Sequence, residues 1–224
     1  MSDRSSTVSS AERTGRDRTG VVVAGGRSTR FGGEDKAVAD LAGTPMIRRV
    51  TDGIAGVVDD LVVNCRADQV DAIRNAMAGY DRDVTLAEDP DPDEGPMAGI
   101  GTGLRAAATE YAVVVACDMP FVDPDVVDYL FERAAGRDAA VPQLDDQWFQ
   151  TTQAVYRADA MAAACEEALA DGKHKIIEPL FELDYVAVGE AEVEAVGTLD
   201  TFENLNTSEE FAAAAERFEA PSGN

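Results

Sequence analysis

Residues 20–37 read Gly-Val-Val-Val-Ala-Gly-Gly-Arg-Ser-Thr-Arg-Phe-Gly-Gly-Glu-Asp-Lys-Ala and concentrate glycine and positive charge in one stretch. Val21 to Val23 form a β-branched run of the kind that makes a buried strand. The run breaks at Ala24 into Gly25-Gly26, and a loop follows with Arg27, Arg30, Gly32, Gly33 and Lys36. Glycines let a backbone take positive φ and come close to a ligand. Successive loop N–H groups then form an anion-binding nest, to which arginine and lysine add full charge. The chemistry implied is the grip of a polyphosphate. A Walker A loop is excluded, because Ala37 follows Lys36 and no hydroxyl stands ready for magnesium.

Carboxylates and amides at the ends of other apolar runs extend this set. Val113 to Ala116 lead through Cys117 into Asp118, and Pro120 prevents a helix from continuing the strand. A carboxylate so placed suits magnesium, a hard cation that takes one or two carboxylates plus phosphate oxygens and water. Asp123, just before Pro124, already serves as the cap of the next helix. Asn64 ends the strand Leu61 to Val63, where an amide either reads a base edge or ribose or caps the strand. Asp89 ends another strand and opens an acidic, proline-rich run to Glu94. It is either part of a solvated loop or an acceptor for the paired N1–H and 2-amino donors of guanine. Gly95-Pro96-Met97-Ala98-Gly99-Ile100 then opens a helix.

Such groups need a scaffold that brings strand ends together. Strand-type runs fall at 20–24, 60–64, 84–87, 112–116, 138–142, 152–156 and 185–188. Helical patterns fall at 45–57, 69–78, 98–109, 125–135, 158–171, 175–182 and 208–218. Thr44-Pro45 and Asp123-Pro124 read as N-cap and first-turn pairs, and Thr207-Ser208-Glu209-Glu210 as a capping box. The alternation predicts a parallel sheet covered on both faces, with ligand beyond the carboxyl ends of its strands. Residues 1–19, polar and rich in Ser, Thr and Arg, read as a disordered leader. Residues 20–218 read as one domain and 219–224 as a flexible tail.

Bulk properties narrow the partners. The 224 residues are 45% hydrophobic, enough for one large α/β domain. A net charge of −24 argues against nucleic acid and anionic membrane surfaces as partners. The three lysines against 43 carboxylates suggest a halophile's composition, in which salt screens self-repulsion. Against this background Arg27, Arg30, Lys36, Arg48 and Arg49 form a local reversal of charge, with Arg48 and Arg49 read as a solvated helix face. Cys65, Cys117 and Cys165 are too sparse for a disulfide framework or zinc knuckle, which fits a reduced cytoplasmic protein. The single histidine, His174, lies between Lys173 and Lys175, so a His-dependent nucleophile has little support.

The series Gly25-Gly26, Arg30, Gly32-Gly33, Lys36, continued by Asp40-Leu41-Ala42-Gly43-Thr44-Pro45-Met46, resembles the signature of nucleotidyltransferases with a nucleotide-diphospho-sugar transferase fold. It is most similar to the molybdenum cofactor guanylyltransferase (MobA-like) branch. The Asn64, Asp89 and Gly95–Ile100 segments follow in the family's order, and Asn204-Leu205-Asn206-Thr207-Ser208-Glu209-Glu210 resembles its Asn-x-Asn-Thr-Pro-Glu-Glu motif, with Ser208 in place of proline. Gln150-Thr151-Thr152-Gln153 departs from the His/Gln-Pro pair usual near the acceptor. The resemblance spans about residues 20–211 and implies a three-layer α/β/α sandwich with a mostly parallel sheet.

The activity it implies is transfer of GMP from GTP to the phosphate of molybdenum-bound molybdopterin, with magnesium (Mg2+) as cofactor. Lys36, Arg30 and Asp118 would be catalytic, with Asp118 on the metal. Val23, Ala24, Gly25, Gly26, Lys36, Asn64, Asp89, Gly95 and Asp118 would bind nucleotide. Asn204 or Asn206 would serve the acceptor or the metal's outer shell. The alternatives are cytidylyl transfer to molybdopterin, guanylyl transfer to adenosylcobinamide phosphate, or a non-catalytic nucleotide-binding module. The last is disfavoured by the presence of both Lys36 and Asp118.

Overall fold

Runs of small and β-branched residues with no polar break form the central strands, because such strands are buried on both faces. In the computed structural model, residues 17–26, 35–91, 94–145 and 147–220 are described. The chain enters through β1 (Arg18–Val23), a short hairpin of β2 (Asp40–Leu41) and β3 (Thr44–Pro45), and α1 (Met46–Ile54). It continues through β4 (Asp60–Cys65), α2 (Val70–Ala76), β5 (Val84–Glu88), α3 (Pro96–Arg105), β6 (Tyr111–Ala116) and α4 (Pro124–Ala134). Next come β7 (Ala139–Gln143), β8 (Gln153–Arg157), α5 (Ala158–Ala170) and α6 (Ile177–Leu180). The chain then runs through β9 (Tyr185–Gly189), α7 (Glu190–Glu194) and α8 (Ser208–Glu219).

These strands make a seven-stranded sheet in the order β5-β4-β1-β6-β8-β7-β9. All neighbours run parallel except β8, which is antiparallel to both β6 and β7. β8 follows β7 with no helix between them, and such a connection reverses the chain. Within β1, Val22 packs among α1, α2 and α4, whereas Val21 packs among α3 and α5. That alternation places one helical layer on each face, so the expected three-layer, mostly parallel α/β/α architecture is present. A satellite cluster of Leu41, Met46, Leu205 and Ala214 fastens α8 to the hairpin.

Several local expectations change. The first strand begins at Arg18, inside the stretch read as leader, and residues 1–16 lie outside the described residues. Thr44-Pro45 forms β3 rather than a cap and first turn, and α1 starts at Met46 with Pro45 as an N-cap that makes no side-chain bond. Pairing of Leu41 with Thr44 outweighs the local helix-start signal. Asp123 and Thr207 do cap α4 and α8, the latter through the expected capping box. Arg49 is not a solvated face residue. Its guanidinium donates to the Leu41 and Ala42 carbonyls at 2.6 and 2.8 Å and stacks on Phe218. Arg48 pairs with Asp52 and lies over Tyr80. No helix among the described residues is long and apolar enough to cross a membrane.

Candidate active site

A cleft of about 650 Å3 opens at the carboxyl edge of the parallel strands. Its walls include Val23, Ala24, Gly25, Gly26, Lys36, Asn64, Asp89, Gly95, Asp118, Asn204 and Asn206. Every site residue expected from the sequence is there except Arg30, which lies outside the described residues with Arg27, Gly32 and Gly33. The register explains the convergence, since Val23 at the end of β1 faces Asn64 on one side and Ala116 on the other.

At one end of the cleft Asn64 and Asp89 form a unit. Asn64 is fully buried, and its Nδ2 donates to the Ala87 carbonyl at 3.2 Å and to Asp89 Oδ1 at 2.6 Å. Both partners are acceptors, so the amide nitrogen must face them and Oδ1 must face away. That oxygen is buried with no hydrogen-bond partner. A Cβ on Gly25 would stand 2.6 Å from Asp89 Oδ2 and 3.4 Å from Asn64 Oδ1, so glycine leaves open the space onto which both oxygens converge. A Cβ on Gly99 would meet Asn64 Oδ1 at 2.5 Å, so α3 sits close enough to lock the amide only as glycine. Burial pushes the Asp89 carboxyl above its ordinary range, while the Asn64 bond and the Arg66 charge pull it back.

At the other end Lys36, on a single 3-10 turn capped by Asp35, is buried and reaches Asp118 Oδ2 at 2.8 Å. Its Nζ also lies 3.4 Å from Asn206 Oδ1. The late Asn204–Asn206 segment is tied to the same strand end, because Leu205 N donates to the Asp118 carbonyl at 3.0 Å. Asn204 donates to the Phe202 carbonyl and also faces the cleft. Cys117 lines the wall between these groups, where desolvation and the Asp118 charge push its thiol pKa up.

Sequence reasoning passed over Asp35, Arg66, Gln69 and Thr152. Arg66 NH1 donates to the carbonyls of Gly25 and Gly26 at 2.8 and 3.0 Å. Gln69 Nε2 donates to the Ala24 carbonyl at 2.9 Å and to Asp35 Oδ2 at 2.6 Å. An arginine just past a strand end, in a chain with a net charge of −24, is the one signal that could have pointed to Arg66.

A parallel-edge cleft that joins a glycine turn, a buried lysine and a strand-end aspartate defines a nucleotidyltransferase. The family model for the MobA-like NTP transferase domain matches residues 20–185, and the chain belongs to that family. It is 49% identical over 201 residues to a protein of Natronomonas pharaonis named probable molybdenum cofactor guanylyltransferase, covering 90% of this chain and 98% of that one. A protein of the same name from Haloferax mediterranei is 38% identical, with 89% of this chain and 94% of that one covered. The crystal structure of molybdopterin-guanine dinucleotide biosynthesis protein A from Archaeoglobus fulgidus superimposes with a TM-score of 0.74. It is 28% identical and covers 91% of this chain and 100% of that one. The resemblance read from the glycine loop is borne out.

Proposed function

We propose that this enzyme transfers GMP from GTP to the terminal phosphate of molybdenum-bound molybdopterin. The observation that carries the reading is a cleft with the Asp89 carboxylate, held by the buried Asn64 amide, at one end and Lys36 with Asp118 at the other. The names of the relatives supply the substrates. An acceptor phosphate oxygen attacks the α-phosphorus of GTP, the bond from that phosphorus to the β-bridging oxygen breaks, and pyrophosphate leaves. The nucleophile is already anionic, so no protein base is needed. Positioning and charge stabilisation then carry the catalysis.

Each group has a task in that scheme. The N–H groups of the glycine turn and the Lys36 ammonium hold the triphosphate and the charge that grows on pyrophosphate, with Arg30 completing the grip. Asp89 and Asn64 accept from the donor-rich edge of guanine, an edge cytosine lacks. Asn204 and Asn206 present amides to the acceptor. The donor set fits a hard divalent cation: Lys36 holds Asp118 Oδ2, and Oδ1 is left for a further partner. No cluster of three His, Cys, Asp or Glu suited to a metal occurs among the described residues. Phosphate and water would therefore supply most ligands, as they do for magnesium, which when bound would offset charge at the α-phosphate. A cytoplasmic location accords with reduced cysteines and phosphorylated substrates.

Competition titrations of GTP against CTP, with magnesium present, test the assignment. GTP should bind about tenfold or more tightly, since leaving a buried charged acceptor unpaired costs on the order of 1–3 kcal/mol. Asp89→Ala should remove that preference. Equal affinities in the unaltered enzyme would move the assignment to cytidylyl transfer.

A further inference from the structure

Three carbonyls in a row, those of Ala24, Gly25 and Gly26, are held by two side chains of the turn that leaves the neighbouring strand β4. Gln69 Nε2 takes the first at 2.9 Å, and Arg66 NH1 takes the other two at 2.8 and 3.0 Å. A trans peptide is planar, so its N–H points opposite to its C=O. Fixing the carbonyls of Ala24 and Gly25 therefore fixes the N–H groups of Gly25 and Gly26 on the opposite side. Neither N–H has a hydrogen-bond partner among the described residues. Two amide donors side by side, with the carbonyls of their peptides held from behind by the Gln69 amide and the Arg66 guanidinium, make an anion nest whose geometry is set before the anion arrives.

The clamp is itself braced. The Arg66 N–H donates to Gln69 Oε1 at 3.0 Å, which joins the two residues. Asp68 holds the far side of the guanidinium at 3.0 Å and leaves NH1 for the carbonyls. Gln69 also reaches forward to Asp35 Oδ2 at 2.6 Å, while Asp35 Oδ1 accepts from Ala37 N at the turn that carries Lys36. One buried amide thus ties the strand that enters the glycine loop to the turn that leaves it.

We infer that Arg66 and Gln69 are positioning residues for phosphate binding: they preset the Gly25 and Gly26 amides, and Gln69 fixes the turn of Lys36, without touching the nucleotide themselves. The inference rests on the reading of this cleft as a nucleotide site. A clamp of this kind has a particular signature. It should matter for the triphosphate and not for the nucleoside, because Asn64 and Asp89 hold the base independently.

The test is calorimetric titration of the full-length protein with GTP and with guanosine, for the unaltered chain, Arg66→Ala, Arg66→Lys and Gln69→Ala. Arg66→Ala should weaken GTP by about tenfold or more and leave guanosine within about twofold. Arg66→Lys should recover part of the loss, since an ammonium keeps the charge and the donors but lacks the Nε and NH2 groups through which Asp68 orients the guanidinium. In turnover assays KM for GTP should rise more than kcat falls. Gln69 is fully buried, so its variant is interpreted only if it melts cooperatively; Arg66→Ala decides the matter alone if it does not. Parallel loss of GTP and guanosine binding would mean a scaffold role and overturn the inference, as would unchanged binding of both. If the unaltered protein prefers another triphosphate, the functional assignment fails but the clamp does not. It is then tested with that triphosphate and its own nucleoside.

Discussion

The two sides of the cleft are built by different means. On the nucleotide side, β5, β4, β1 and β6 run parallel, and each delivers its site group from its carboxyl end. Asp89, Asn64, Gly25 and Asp118 are therefore placed by strand register, and direct bonds such as Asn64–Asp89 at 2.6 Å couple them. On the side proposed for the acceptor, β8 runs antiparallel and presents its amino end, beside Thr152. Asn204 and Asn206 come from a segment that belongs to no strand. It is strapped down by Leu205 N to the Asp118 carbonyl and by Thr201 Oγ1, which accepts from Gln153 Nε2 at 2.5 Å and Asp123 N at 2.9 Å. Arg217 adds bonds to Asp200 and Glu203 and stacks on Phe121. Local rules place the first set of groups, and long-range contacts place the second.

Asp118 is where the two sides meet, so its loss should have the largest effect. Asp118→Asn removes the negative charge at the strand end and the anionic partner of Lys36. Turnover should fall by about 10²–10³, as for loss of one preorganised electrostatic group, with the fold retained. Near-normal pyrophosphate release from this variant would show that the sides are not joined through Asp118. Lys36 comes next. Lys36 follows a glycine loop in the sequence, where a lysine has little to pack against, but the structure buries it beside Asp118. Lys36→Met keeps the packing and removes the charge, so GTP affinity should fall by about tenfold while the melting temperature drops only slightly. Normal GTP binding by Lys36→Met would make the lysine structural, with no part in holding the triphosphate.

This difference in construction explains what the sequence revealed. Asn64, Asp89 and Asp118 were visible because each ends an apolar run, and a sheet gathers such ends at one edge. The layered fold followed from the alternation of strands and helices. The antiparallel course of β8 and the β2–β3 hairpin were not visible, because both depend on pairing between segments rather than on composition. Arg49 misled for the same reason. A charged residue at a helix surface reads as solvated until its carbonyl partners, Leu41 and Ala42, are known. Arg66 and Gln69 act on backbone carbonyls, which carry no residue identity, so no motif announces them.

The strap offers a test confined to the acceptor side. Thr201 is fully buried and its hydroxyl oxygen accepts two hydrogen bonds, so Thr201→Val leaves the buried Gln153 amide and the half-buried Asp123 N–H without that partner. That should cost about 1–3 kcal/mol of stability, measured by denaturant unfolding. Transfer to the acceptor should slow because Asn204 and Asn206 lose their anchorage, while GTP affinity stays the same. A matching loss of GTP affinity would mean that the sides are coupled more broadly than through Asp118.

The smallest effect concerns pH and belongs to the nucleotide side alone. Burial raises the Asp89 carboxyl above its ordinary range, against the pull of Asn64 and Arg66. For a carboxyl raised by folding, the stabilising contribution is present below the unfolded-state value and is lost as pH rises through the folded one. Asp89 therefore favours the fold slightly more in acid. Base recognition has the opposite sign, since accepting two donors from guanine requires the ionised carboxylate. Guanosine affinity should begin to fall, on acidification from neutral, at a higher pH than an aspartate of ordinary pKa, about 3.9, would give. Asp89→Asn should bind weakly with no such inflection, and Thr201→Val should keep it at the same pH. An inflection that survives in Asp89→Asn would assign it to another group and detach base recognition from this carboxylate.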